Sequence, residues 1–216
     1  MSTTSLTQHT ASPTVRRRPP REAWTGIAFP LLFLASVGVS NPPADNAPAA
    51  TWISNYSGHS NQARHLATGI LLVLAALCLA SFLTAQWRRI RDINPSISPL
   101  PLVAAAAAAA GIAAGGVVMA FVSGGELIGT YPLPGVDVLR MSNDLGFALV
   151  AVAGMLSAAV AVACLSVQGR TAGIFGQKTF IFGIVVSVCL LGALAFVPVI
   201  ALLIWAAVVA VQWLRS

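Results

Sequence analysis

Long apolar runs separated by short polar connectors make up most of the chain, and basic residues recur in alternate connectors. The first run, about 24–40, is close to the shortest length that crosses a hydrocarbon core of about 30 Å. Pro30 interrupts it, and Asn41-Pro42-Pro43 follows where a cleavage site would want small residues, so a retained helix is expected rather than a cleaved signal peptide. A second span, about 65–87, ends in Trp87-Arg88-Arg89-Ile90-Arg91, an aromatic and arginine pattern that marks exit from a membrane. The third, about 100–123, carries an alanine run from Ala104 to Ala110 and then Gly111, Gly115 and Gly116. A fourth covers about 142–167, with Ser142 as the expected N-cap and Asp144 beside the positive end of the helix dipole. Apolar sequence from Thr179 to Trp213 would make one helix of about 50 Å, too long for a bilayer. Phe196-Val197-Pro198 therefore predicts a hairpin between a fifth span, about 173–196, and a sixth, about 198–213.

The connectors fix the expected orientation. Residues 1–22, rich in Ser, Thr, Pro and Arg, read as a disordered basic tail, and 23–216 as one six-helix transmembrane domain. The segments 41–64 and 124–141 read as loops, the first with Trp52 and Tyr56 at the headgroup level and the second with Glu126, Asp137 and Arg140. With the N-terminus inside, ten of the twelve basic residues (Arg16, Arg17, Arg18, Arg21, Arg88, Arg89, Arg91, Arg170, Lys178 and Arg215) fall on the cytoplasmic side. Only Arg64 and Arg140 fall outside. The expected fold is thus an all-α polytopic bundle of six spans with both termini cytoplasmic.

Composition agrees. Charged residues are 8% of the chain against 57% hydrophobic, with a mean hydropathy of +0.83, too few charges to cover a soluble surface. The net charge of +6 does not indicate a nucleic-acid partner, because the basic residues sit in short clusters beside apolar segments. Cys78, Cys164 and Cys189 lie far apart within apolar runs and read as small buried hydrophobes, with no disulfide framework. No catalytic motif, metal-ligand spacing or phosphate loop is present, so no cofactor or metal is expected and an enzyme is disfavoured.

Two groups of residues carry the candidate chemistry. The topology brings Arg64, His65, Glu126, Asn143 and Asp144 to one side, where they are candidates for an outward-facing polar pocket. His65 would titrate near neutral pH if a carboxylate lay beside it. Gly111 and Gly115, four apart, are candidates for close helix packing at the centre of the bundle.

The segments Trp52 to Tyr56, Trp87-Arg88-Arg89, Asn143-Asp144-Leu145-Gly146-Phe147-Ala148 and Leu203-Ile204-Trp205 resemble those of six-span integral membrane proteins of high-GC Gram-positive bacteria, a family of unknown function. That resemblance implies a multi-pass protein of the bacterial plasma membrane and brings no activity with it. The expected function is a non-enzymatic accessory or partner-binding subunit of a membrane complex, its partners being the lipid bilayer and other membrane subunits. The alternative is a small-molecule or lipid transporter or sensor that uses the outward polar pocket.

Overall fold

The computed structural model describes residues 21–127, 129, 132–192 and 197–215, which are largely helical and include no strand. Helix α1 is Arg21–Val39, α2 Ala49–Ser57, α3 His59–Ile93, α4 Leu100–Leu127 and α5 Val136–Ala148. A π-helical segment, Leu149–Gly154, joins α5 to α6, Met155–Thr171, and α7 (Gln177–Leu190) and α8 (Val197–Arg215) follow. Among the described residues, five helical stretches are long and apolar enough to cross a membrane: α1, α3, α4, the continuous Val136–Thr171 and α8. Helix α7, with 14 residues, is apolar but shorter. Large side chains such as Leu31, Leu77, Val103, Phe121 and Val188 are more than 60% exposed on these helices. Apolar surface of that extent needs lipid as its solvent. The chain is built as a multi-pass membrane protein.

Several boundaries differ from those expected, each for a local reason. The basic tail over 1–22 lies outside the described residues except for Arg21 and Glu22, which open α1. Pro30 lies buried inside α1, in a helix that runs on through it, as lipid-embedded helices tolerate when neighbours cover the backbone. The segment 41–64 holds a helix of its own: α2 starts after Pro48 and buries Trp52 and Tyr56, which share a face at a spacing of four. Helix α3, at 35 residues and about 52 Å, begins six residues before the expected span and runs past all three arginines to Asn94-Pro95. Ser142 is no N-cap, because Gly135 opens α5 and Asp137 takes the first-turn position. The fifth span, expected to 196, ends as helix at Leu190; of the expected hairpin, 193–196 lie outside the described residues.

The helices pack in chain order and the last returns to the first: α1 on α3, α3 on α4, α4 on α5–π–α6, α6 on α7, α7 on α8, and α8 on α1. Close approach at glycines shows α1–α3, α1–α8, α3–α4 and α4 with α5–π to be antiparallel. A Cβ on Gly26 of α1 would lie 2.6 Å from Phe82, late in α3, and 2.8 Å from Ala210, late in α8. One on Gly69, early in α3, would lie 2.6 Å from the Gly116 carbonyl, late in α4. A Cβ on Gly115 would lie 2.5 Å from the Gly146 carbonyl, and one on Gly111 2.5 Å from the Gly154 nitrogen. Helix α4 therefore presents one small-residue edge to α3 and another, about 100° round, to α5–π–α6. It is a member of the ring and not its axis, since Val103, Val117 and Phe121 on its remaining side are exposed.

Gly115→Ala places a methyl inside the contact distance of the Gly146 carbonyl and Val150. The expected loss is about 1–3 kcal/mol, the range for overpacking. Thermal melts of the full chain in mild detergent check it, with Gly38→Ala, which meets nothing within 4 Å, expected to cause no loss.

Candidate functional site

The end of the bundle that carries α2 is organised by short polar side chains. Gln62, fully buried in the first turn of α3, donates from Nε2 to the Tyr56 carbonyl at 2.9 Å and to Glu126 Oε2 at 2.6 Å. Two acceptors around one nitrogen fix which way the amide points. Asn55 bridges in the other direction: its Nδ2 donates to the Asn41 carbonyl at 3.2 Å, and its Oδ1 accepts from His65 Nε2 at 2.9 Å. An amide oxygen only accepts, so the His65 tautomer carries its proton on Nε2.

Aromatic rings run through the same cap. His65 stacks on Tyr56 with centroids 4.2 Å apart, Tyr56 stacks on Trp52 at 6.0 Å, and the Arg140 guanidinium lies 5.9 Å over the Trp52 ring. Arg140 also donates from Nη2 to the Ala47 carbonyl at 2.8 Å, which pins the start of α2 to α5. Burial pushes the Tyr56 phenol up to about 12, so that ring stays neutral across the physiological range.

Against this geometry the five expected pocket residues separate. Glu126 receives the Gln62 amide, and His65 pairs with Asn55 and not with a carboxylate. Arg64 and Asp144 are exposed, and among the described residues no ion pair links them to each other or to Glu126. Asn143, half-buried on α5, faces a different feature, a cavity of about 350 Å³.

That cavity lies inside the α2 end of the bundle. Helix α1 contributes Phe33, Ser36, Val37 and Ser40, with Pro42 just beyond the helix. Across from it stand Asn143 and Phe147 of α5 and Val150 of the π segment, with Thr68 and Leu72 of α3 and Met119 of α4 completing the wall. Its volume lies near the lower bound for ligand pockets, about 300–1,000 Å³. None of the described residues lining it is charged. The Ser36 hydroxyl donates to the carbonyl of Phe33 on its own helix at 2.6 Å. Thr68, only 4% exposed, does not bond back: its hydroxyl has no partner among the described residues. A buried hydroxyl left so costs about 1–3 kcal/mol; Gln86, Ser123 and Ser166 are in the same position elsewhere in the bundle, but Thr68 is the one that lines the cavity.

Sequence reasoning missed Gln62, Asn55 and Thr68. Each is a polar residue at or near the edge of an apolar run, and that position was the available signal.

Gln62→Leu keeps the volume but strands both the Tyr56 carbonyl and the Glu126 carboxylate. A loss of about 1–3 kcal/mol in detergent melts is expected. Tyr56→Phe, which keeps the stack, is expected to change stability by less than about 0.5 kcal/mol.

No family model, curated protein or solved structure matches the chain.

Proposed function

We propose that this protein binds a small amphiphilic molecule in the cavity between α1, α3, α4 and α5, and acts as a sensor or carrier of it rather than as an enzyme. The observation that carries this reading is the partnerless, buried Thr68 hydroxyl in an otherwise largely apolar wall. A site with few polar groups on an apolar surface orients a ligand. Its uncharged lining supplies neither a general acid nor a general base, the side chains that proton-transfer chemistry would need.

The proposed setting is a bacterial plasma membrane with six crossings, α7 being the short one, and both chain ends cytoplasmic. Three features support it. Arg88, Arg89 and Arg91 close α3, Arg170 closes α6 and Arg215 closes α8. Antiparallel packing brings Arg21, at the start of α1, to the end of the bundle where α3 and α8 finish. At that end Arg89 lies 5.4 Å over the Trp213 ring and Arg91 5.0 Å over Trp87, the pairing of aromatic and cation expected at a headgroup boundary. The cavity then belongs to the outer half of the bundle.

Two experiments test this reading. In a background with Cys78, Cys164 and Cys189 replaced, an impermeant maleimide on intact cells should label Asn46→Cys, and label Ser216→Cys only after lysis. A C-terminus reached from outside would overturn the topology. Native mass spectrometry of protein purified in mild detergent should show a small-molecule adduct. Val37→Trp, filling the cavity from the partly exposed α1 side, should remove that adduct while leaving the melting temperature within a few degrees. A stoichiometric polypeptide with no small molecule would favour the accessory-subunit reading instead.

A further inference from the structure

We infer that the cavity selects uncharged amphiphiles, with a hydroxyl, ester or amide head held by Thr68 and Asn143 and a single apolar body directed toward the bundle core. This inference rests on the reading of the cavity as a ligand site and names the chemistry of its occupant.

Three observations converge on it. The first is the polarity gradient. On α1 the lining passes from Pro42 and Ser40 to Val37, Ser36 and then Phe33, with the Ser36 hydroxyl spent on the Phe33 carbonyl, and on α5 and the π segment from Asn143 to Phe147 to Val150. Seven residues of helix on each side, about 10 Å, separate the polar rim from the apolar floor.

The second is charge. No charged side chain is among the described residues lining the cavity. Glu126 accepts from Gln62, Arg140 is held by the Ala47 carbonyl and the Trp52 face, and Arg64 and Asp144 are exposed. An anionic or cationic head brought between these walls would be desolvated without a counter-charge, which strongly disfavours it. A neutral head loses much less water and gains a hydrogen bond.

The third is the hydroxyl itself. Ser36 and Ser187 both spend their hydroxyl protons on carbonyls of their own helices, the usual resort of such side chains in lipid. Thr68, equally buried, does not; Ser123 and Ser166 also have no partner among the described residues, but of the three only Thr68 lines the cavity, where its donor can reach a carbonyl or hydroxyl oxygen. The small volume admits one chain or a compact ring system rather than a two-chain phospholipid.

The test is equilibrium binding of tritiated monocaprin, a neutral single-chain glyceride, to the full chain in phosphatidylcholine nanodiscs, with binding to empty discs subtracted. Unlabelled decyl sulfate, decylphosphocholine and decane serve as competitors of matched chain length. Saturable monocaprin binding is expected, with each competitor at least about tenfold weaker. Thr68→Val, close in shape, should weaken monocaprin binding roughly tenfold, and Thr68→Ser should retain it. Equal or better competition by decyl sulfate or decylphosphocholine would overturn selection for a neutral head and leave the ligand site standing. Equal competition by decane, or unchanged binding by Thr68→Val, would overturn recognition of the head. Absence of saturable binding by any probe would remove the site itself and the inference with it.

Discussion

Apolar side chains give helices no reason to meet in a bilayer, because lipid tails are as apolar as leucine, so the fold depends on how closely backbones can approach. In this chain that approach is concentrated on α4. Gly111 and Gly115 admit the backbone of Gly154 and Gly146, and Gly116 admits Gly69. An Ala-rich helix weakened by glycine would be a poor element in water, where glycine costs about 1 kcal/mol relative to alanine. Between two long helices in lipid, the same residues convert lost side-chain volume into contact area. Helices α3 and α5–π–α6 are set by α4, and α1, α7 and α8 then close the ring on those two.

The cavity is a consequence of where that close packing gives way. Helix α5 and helix α6 are one continuous structure interrupted by the π segment Leu149–Gly154, with Gly146 in the last turn of α5 and Gly154 at the end of the segment. A π turn accommodates one more residue than an α turn, which rotates whatever precedes it by about 100° relative to an unbroken helix. The two glycine contacts hold the segment against α4, while Asn143, Phe147 and Val150 are left facing Phe33 and Ser36 of α1 across open space. Helix α1 packs on α3 and α8, and α5 packs on α4, so the walls are built by different neighbours. Such π segments frequently occur at functional sites, and here the segment contributes Val150 to the cavity wall.

Much of the architecture was legible in the sequence because it is written in runs of residues. Lipid as solvent, the long helices and the clustered arginines are properties of whole segments, and averaging over them is what makes them readable. What escaped is local or long-range. Helix α2 has nine residues among prolines and asparagines, and its case for being a helix lies in burying Trp52 and Tyr56 against partners far along the chain. Ser142 and Asp144 have the composition of a helix start, but Pro134-Gly135 punctuates the chain earlier, and a short polar residue reads the same inside a helix as at its cap. The Gln62–Glu126 bond spans 64 residues, so no local pattern could announce it. Of the expected polar cluster, Asn143 alone lines the cavity. Thr68 went unnoticed because one hydroxyl barely perturbs an apolar run.

The amide network at the α2 end explains why a neutral site can sit so close to charged residues. His65 holds Asn55, and Asn55 holds the carbonyl of Asn41, which lies between the two rim residues Ser40 and Pro42. On the far side Gln62 takes up Glu126 while tying down the end of α2 through Tyr56. The link to the rim runs through His65, Asn55 and the Asn41 carbonyl, whereas the Gln62 link ends on the half-buried Glu126 carboxylate, which is not among the residues lining the cavity. Had the rim been held by ion pairs, as Arg64 or His65 with Asp144 would have provided, their fields would reach the cavity with little solvent to screen them. Here the exposed charges stay in water, where screening is strong. The rim is positioned without an ion pair, which agrees with the uncharged occupant proposed for the space behind it.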